Sequence, residues 1–215
     1  MDNYNGHSNK VEILDNIFMV DKGTLKILLL KKETDPYKGY WVLPRGILSS
    51  TDTIEYSAID ISYNLTGIKN IIFEQNGVFS NIDRIPEERI LGISCIGLTD
   101  SVTVSLKQKE TALEYDWFNT KSLPKMIYDH TQVASKAIQD LKKILDDFKL
   151  LKRLFPSDFT LPELQKVYEQ ILGTELDRRN FRKKIISLDV LETTGENNMG
   201  ESGRPAKLYR FKDEI

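Results

Sequence analysis

Aliphatic residues dominate two runs near the start of the chain, Val11 to Val20 and Thr24 to Lys31, with Asp21-Lys22-Gly23 between them. The three intervening residues have the composition of a hairpin turn, so the runs predict a strand pair. Trp41-Val42-Leu43, Ile71-Ile72-Phe73, Ile90 to Leu98 and Tyr115-Asp116-Trp117-Phe118 supply further short strands. Elsewhere the period changes. Between Thr53 and Leu65, the apolar positions Ile54, Ala58, Ile61 and Leu65 recur at helical spacing, and Gly67 is placed to end the helix. Val133, Ala137, Leu141, Ile144, Leu145 and Phe148 mark one face of a second helix running from about Gln132 to Leu151. That helix closes a mixed α/β domain over residues 10–150, preceded by a polar tail over residues 1–9.

Residues 151–215 form a separate, smaller unit. Thr160-Leu161-Pro162-Glu163 is a capping box, in which the Thr hydroxyl accepts from the Glu amide and the carboxylate reaches back to the Thr amide. Leu161, Leu164, Val167, Ile171 and Leu172 then form an apolar stripe that Gly173 stops. A second short helix follows from about Leu176 to Ser187, with Leu176, Phe181, Ile185 and Leu188 suited to a core. Beyond it, Val190-Leu191-Glu192-Thr193-Thr194 and Lys207-Leu208-Tyr209-Arg210-Phe211 flank a polar excursion, giving a hairpin with Gly203-Arg204-Pro205 at its tip. Helix, turn, helix and a basic hairpin describe a winged helix.

Charge sharpens this reading. Arg178, Arg179, Arg182 and Lys183 make two i, i+4 pairs on one side of the second helix, with Lys184 nearby and Asn180 able to read a base edge. The segment from Leu151 onward holds 12 basic and 11 acidic residues, against 18 and 21 before it, so bulk asymmetry is slight. The clustering decides the matter, because the second helix of this motif normally enters the major groove. The DNA-contacting set is therefore Arg178, Arg179, Asn180, Arg182, Lys183 and Lys184, with Arg204 and Lys207 from the hairpin; the alternative is a solvated basic face.

The formal net charge of -2 excludes a global attraction to nucleic acid or membrane, so any polyanion site is local. No run approaches the roughly 18 to 20 apolar residues of a transmembrane helix, and the first residues lack the order of a signal peptide, so a cytoplasmic protein is expected. Cys95 is the only cysteine, which excludes an internal disulfide, and Gly92-Ile93-Ser94-Cys95-Ile96 is the setting of a buried strand residue.

The motif that bears on chemistry spans Gly46 to Gly67-Ile68. Its 23-residue frame, approached through Gly39-Tyr40-Trp41-Val42-Leu43-Pro44-Arg45, resembles the signature of Nudix hydrolases. In that signature, glutamates spaced i, i+3 and i+4 on one helix face hold Mg²⁺ or Mn²⁺ against a pyrophosphate. Here Asp52 stands at the first Glu, Asp60-Ile61 at Arg-Glu, and Asn64-Leu65 at Glu-Glu. Ile61, Asn64 and Leu65 cannot replace those carboxylates, so no catalytic residue, metal site or cofactor is expected.

The order of motifs resembles the NrtR-like transcriptional regulators, in which a Nudix-like effector domain precedes a winged helix. The similarity runs from about Asn16 to Phe211 and is densest in Phe159-Thr160-Leu161-Pro162-Glu163-Leu164-Gln165, Asn180-Phe181-Arg182-Lys183-Lys184 and Gly203-Arg204-Pro205-Ala206. It implies an α+β chain, a Nudix-like α/β/α sandwich with a C-terminal winged helix-turn-helix domain. It also implies a regulator responding to ADP-ribose or a related nucleotide or sugar derivative. Without Mg²⁺, a phosphorylated effector needs basic side chains, for which Arg45, Arg84 and Arg89 are candidates, with His130 beside them. A homodimer would set two recognition helices on half-sites about one DNA turn apart, a palindromic operator, and the helix from about Gln132 to Leu151 is the expected coupling element. Two other readings stand against this one: a metal-dependent Nudix hydrolase, which the residues at 61, 64 and 65 disfavour, and a protein- or RNA-interaction module.

Overall fold

The first apolar run becomes β1 (Lys10–Asp21) and the second β2 (Thr24–Lys31), in a computed structural model that describes residues 9–105, 113–156, 158–199 and 205–213. Their turn has two left-handed residues, Lys22 at φ 48° and Gly23 at φ 72°, which matches the twist of the flanking strands. After them come β3 (Trp41–Val42), β4 (Arg45–Ile47), α1 (Ile54–Thr66), β5 (Ile72–Phe79), β6 (Ile90–Leu98), α2 (Ser101–Ser105), β7 (Tyr115–Asn119) and α3 (His130–Asp140). A 3₁₀ helix (Leu141–Asp146) and α4 (Phe148–Lys152) lead to β8 (Phe159–Thr160), α5 (Leu161–Leu172), α6 (Arg178–Ser187), β9 (Leu191–Met199) and β10 (Pro205–Phe211).

Seven strands make one mixed sheet in the order β3-β2-β1-β6-β5, with β4 also on β1 and β7 also on β2. β1 and β6 run parallel, from Lys10 opposite Ile90 to Phe18 opposite Leu98, and the other pairs are antiparallel. β1 is central. Leu14 and Phe18 enter the core on one face, while Ile13 and Ile17 enter the core on the face that holds Ala58 of α1. Burial on both faces explains why β1 is a near-continuous apolar run rather than an alternating one. Thr53 caps α1, its side chain accepting from Tyr56 N–H, and Gly67 ends it in the left-handed conformation at φ 73°.

The expected long helix into the second unit is broken into three pieces, which corrects the sequence expectation of one helix to Leu151. Asp147 adopts an extended conformation, and its carboxylate accepts from the amides of Lys149 and Leu150. That local cap competes with helix continuation and restarts the chain as α4. The apolar stripe holds up to the break, where Val133, Ala137, Leu141, Ile144 and Leu145 are buried, and beyond it Phe148 packs half-buried against the same cluster.

In the second unit the capping box forms as expected, with Glu163 accepting from Thr160 N–H at 2.7 Å and Glu163 N–H donating to Thr160 Oγ1 at 3.3 Å. α6 starts two residues later than its apolar pattern indicated, because Asp177 caps it by accepting from Asn180 N–H at 2.9 Å. β8, β10 and β9 form the wing sheet, which carries an aromatic cluster of Phe155, Phe159 and Phe211. The two units share apolar packing: Val20, Leu25 and Ile27 of the large sheet belong to the same buried cluster as Leu154, Leu164, Val167 and Ile171.

Candidate DNA interface and effector cavity

α6 turns Phe181 and Ile185 into the small core, and this fixes what it presents to solvent. Arg178, Arg179, Asn180, Arg182, Lys183 and Lys184 are all exposed. Among the described residues none of the five cations has an ion-pair partner, so their charge remains available to an outside anion. Lys207 lies exposed on β10 opposite Asn197 in the wing. Arg204 lies outside the described residues.

Of the four residues expected at an effector site, Arg84 lines a cavity of about 660 Å³, a size suited to a small-molecule ligand, while Arg45, Arg89 and His130 lie outside its lining. Tyr37 from the β2–β3 connection, residues 80–84 from the β5–β6 connection, and Tyr128, Asp129 and Gln132 at the start of α3 line it. Tyr37 and Tyr128 both hold left-handed backbones, at φ 73° and 51°, and their rings meet edge to face at 5.5 Å. Such backbone is uncommon for aromatic residues and clusters at ligand sites. Arg45 lies over the Tyr128 ring at 5.3 Å.

The positive charge at this wall is largely committed within the protein. Arg84 is buried and donates through Nε and Nη2 to Asp129, at 2.9 and 3.1 Å, and through Nη1 to Glu12 at 2.6 Å. Arg45 takes the other oxygen of Glu12 at 3.1 Å. β6 makes room for this array at Gly92, where a Cβ would stand 2.8 Å from Arg84 Nη2. Arg89 is exposed and donates to the Ser80 and Asn81 carbonyls, both at 2.8 Å, which braces the loop forming the cavity wall. His130 is fully buried, and its Nδ1 accepts from Leu43 N–H at 3.0 Å. Burial, with Arg45 and Arg84 near, pulls its pKa down to about 3, so its imidazole carries no charge for a phosphate.

The sequence reading missed Glu12, Asp129 and the two tyrosines. Glu12, Asp15 and Asn16 interrupt an otherwise apolar run, and that interruption was the available signal of buried polar chemistry. Asp15 accepts from Ser62 Oγ at 2.8 Å beneath α1, and burial holds its carboxyl well above the usual carboxylate range. Cys95 is buried in the same layer, and burial pushes its thiol up to about 12, consistent with an inert core residue. On α1, Ile61 and Leu65 pack against that core, and Gly46 of β4 lies so close that a Cβ there would meet Ile61 at 2.8 Å.

Comparison with known proteins agrees with this layout. A model of the NrtR DNA-binding winged helix domain matches residues 152–211. The ADPR responsive transcriptional repressor NtrR of Acinetobacter baylyi is 31% identical over 199 residues, covering 91% of this chain and 79% of that protein. The ADP-ribose pyrophosphatase of Methanocaldococcus jannaschii is 32% identical over 108 residues, or 50% of this chain and 63% of its own length. The crystal structure of Shewanella oneidensis NrtR complexed with a 27mer DNA superposes with a TM-score of 0.76 at 24% identity, covering 94% of this chain and 93% of that one.

Proposed function

Because the chain belongs to the NrtR family, we propose that it regulates transcription by binding DNA through α6 and the wing, while its Nudix-like domain senses ADP-ribose or a closely related nucleoside diphosphate. The observation that carries this reading is the pairing of an exposed, unpartnered basic face on α6 with a cavity-bearing sandwich in one chain. The repressor relative is described as ADPR responsive, and the pyrophosphatase relative acts on ADP-ribose, so both point to the same ligand chemistry. In the cavity, Tyr37 and Tyr128 would face the flat parts of such a ligand. Arg45 and Arg89 would supply donors to its phosphates, and Arg84 would hold the wall. A homodimer on a palindromic operator is the assembly that gives each half-site one α6.

Hydrolysis is the second reading, favoured by the pyrophosphatase relative. A divalent ion in a Nudix site needs several carboxylate oxygens. The face of α1 that would supply them carries Ile61 and Leu65, which pack inward, and Asn64. This donor set does not fit Mg²⁺ or Mn²⁺, and we propose a sensor without turnover.

One experiment addresses both readings. Purified protein is titrated onto a palindromic duplex selected from a random library, with and without ADP-ribose, and parallel samples with Mg²⁺ or Mn²⁺ are followed by chromatography. The regulator reading expects duplex binding that ADP-ribose shifts and no product. Turnover near about 1 per second would instead establish the enzyme.

A further inference from the structure

One side-chain amide of the winged helix is bonded to the β1–β2 turn of the large sheet. Gln170 on α5 donates through Nε2 to the Gly23 carbonyl at 2.7 Å, and its Oε1 accepts from Leu25 N–H at 3.0 Å. One side chain therefore satisfies both backbone groups at the start of β2. Around it the seam is close and mostly apolar. A Cβ on Gly23 would come 3.1 Å from Glu163 Cα, and Val20 N–H donates to the Leu154 carbonyl at 3.0 Å. Val20, Leu25, Leu164, Val167 and Ile171 are buried beside it. In a mostly apolar seam, a two-bond amide selects one register.

The same two strands reach the effector cavity at their other ends. β1 carries Glu12, which accepts from Arg45 and Arg84, and β2 runs into the segment containing Tyr37. Eight residues of extended chain span roughly 26 Å, so one rigid ribbon bridges cavity and winged helix. The linker, by contrast, changes helix type at Leu141 and breaks at Asp147.

Resting on the proposed effector reading, we infer that Gln170 is the positioning residue through which the cavity sets the placement of the DNA-binding unit, with the β1–β2 ribbon as the coupling element. The clamp holds one placement, and a ligand that moves Tyr37 or the Glu12 cluster acts on it along β1 and β2.

The test is a comparison of coupling ratios in the full chain. Affinity for the selected palindromic duplex is measured with and without saturating ADP-ribose for the wild type, for Gln170→Met, which keeps the volume and loses both bonds to the turn along with the one to the Lys166 carbonyl, and for Gln170→Glu, which keeps only the acceptor for Leu25 N–H. The wild type is expected to show a ratio of about fivefold or more, within the usual range of allosteric coupling. Gln170→Met should bring that ratio to within about twofold of unity while ADP-ribose affinity stays near the parent's, and Gln170→Glu should fall between. Loss of stability alone leaves the ratio untouched, so the ratio separates positioning from a merely structural role. Hydrogen exchange at Leu25 should quicken in Gln170→Met and supports the clamp if it does. A wild-type ratio of one overturns the effector reading itself. A wild-type ratio retained in full by Gln170→Met, or by Gln170→Glu should the Met variant not fold, overturns the clamp and leaves the effector reading standing.

Discussion

Replacing Arg84 with alanine separates the structural share of the cavity wall from its ligand chemistry. The Arg84 side chain is 1% exposed, and its partners Glu12 and Asp129 are 3% and 11% exposed. Deleting the guanidinium leaves two carboxylates in a poorly solvated wall. Breaking a buried ion pair by removing one partner destabilises by about 3–5 kcal/mol, because the surviving charge is stranded. Glu12 retains Arg45 at 3.1 Å, which places the expected loss toward the lower bound, about 3 kcal/mol. Arg45→Ala removes a pair whose cation is 33% exposed and screened, so about 1 kcal/mol or less is expected. Urea unfolding followed by far-ultraviolet circular dichroism and by the fluorescence of Trp41 and Trp117 measures both. The comparison requires equal slopes and coincident transitions for the two probes. If Arg84→Ala lies within about 1 kcal/mol of the parent, the charge array does not brace the wall and the argument from burial fails.

The remaining predictions concern pH and DNA. His130 has a folded pKa of about 3, below the usual 6.5, so its contribution is complete above pH 6.5 and is lost as pH falls toward 3; at pH 5 the loss is about 2 kcal/mol. His130→Gln should flatten that part of the stability profile between pH 7 and pH 5, and an identical profile would refute the assignment. Asp15 is shifted the other way, so its contribution is present below its ordinary pKa and is lost as pH rises through the raised folded value. Asp15→Asn, which keeps an acceptor for Ser62, should therefore be more stable than the parent at neutral pH by thermal unfolding, and a less stable variant would contradict the burial argument. Arg182→Ala should weaken binding to the selected duplex by on the order of 1–3 kcal/mol if it meets a base, or lower the salt slope by about one if it meets a phosphate. Parent-like binding at every salt concentration would remove α6 as the reader.

Much of the fold was legible because its elements are stated locally. The β1–β2 hairpin, α1 with Thr53 and Gly67 at its ends, and the capping box of α5 each follow from residues a few positions apart. The break at Asp147 was not, because an apolar stripe specifies which side of the chain is buried and says nothing of a cap that interrupts it. β4 escaped notice for a related reason. Its three residues, Arg45 to Ile47, are paired by β1 rather than by any propensity of their own. The exposed basic face was legible on α6, where burial of Phe181 and Ile185 leaves those positions no other side. The cavity was only half legible. Arg45, Arg84, Arg89 and His130 come from three separate segments, only Arg84 lines the cavity, and the carboxylates that consume Arg84 come from positions 12 and 129, a pairing that no local spacing encodes.

Magnitudes also bear on how a metabolite could move a DNA-binding unit that shares apolar packing with its sensor. A shared core resists large displacement, since exposing even a few of Val20, Leu25, Val167 and Ile171 would cost several kcal/mol at about 25 cal/mol per Å². Allosteric coupling typically amounts to about 1–3 kcal/mol, so the switch has to be smaller than separation of the two units. Rearranging two hydrogen bonds, each with a net value of about 0.5–1.5 kcal/mol, falls inside that range. The Gln170 contacts to Gly23 and Leu25 are two such bonds, set in a seam whose apolar part can stay closed while they exchange. A small register change of α5 on the β1–β2 turn is thus sufficient in energy. It is also well placed, because α5 packs against α6 through Tyr168 and Phe181, whose rings lie 5.2 Å apart, and carries the recognition helix with it.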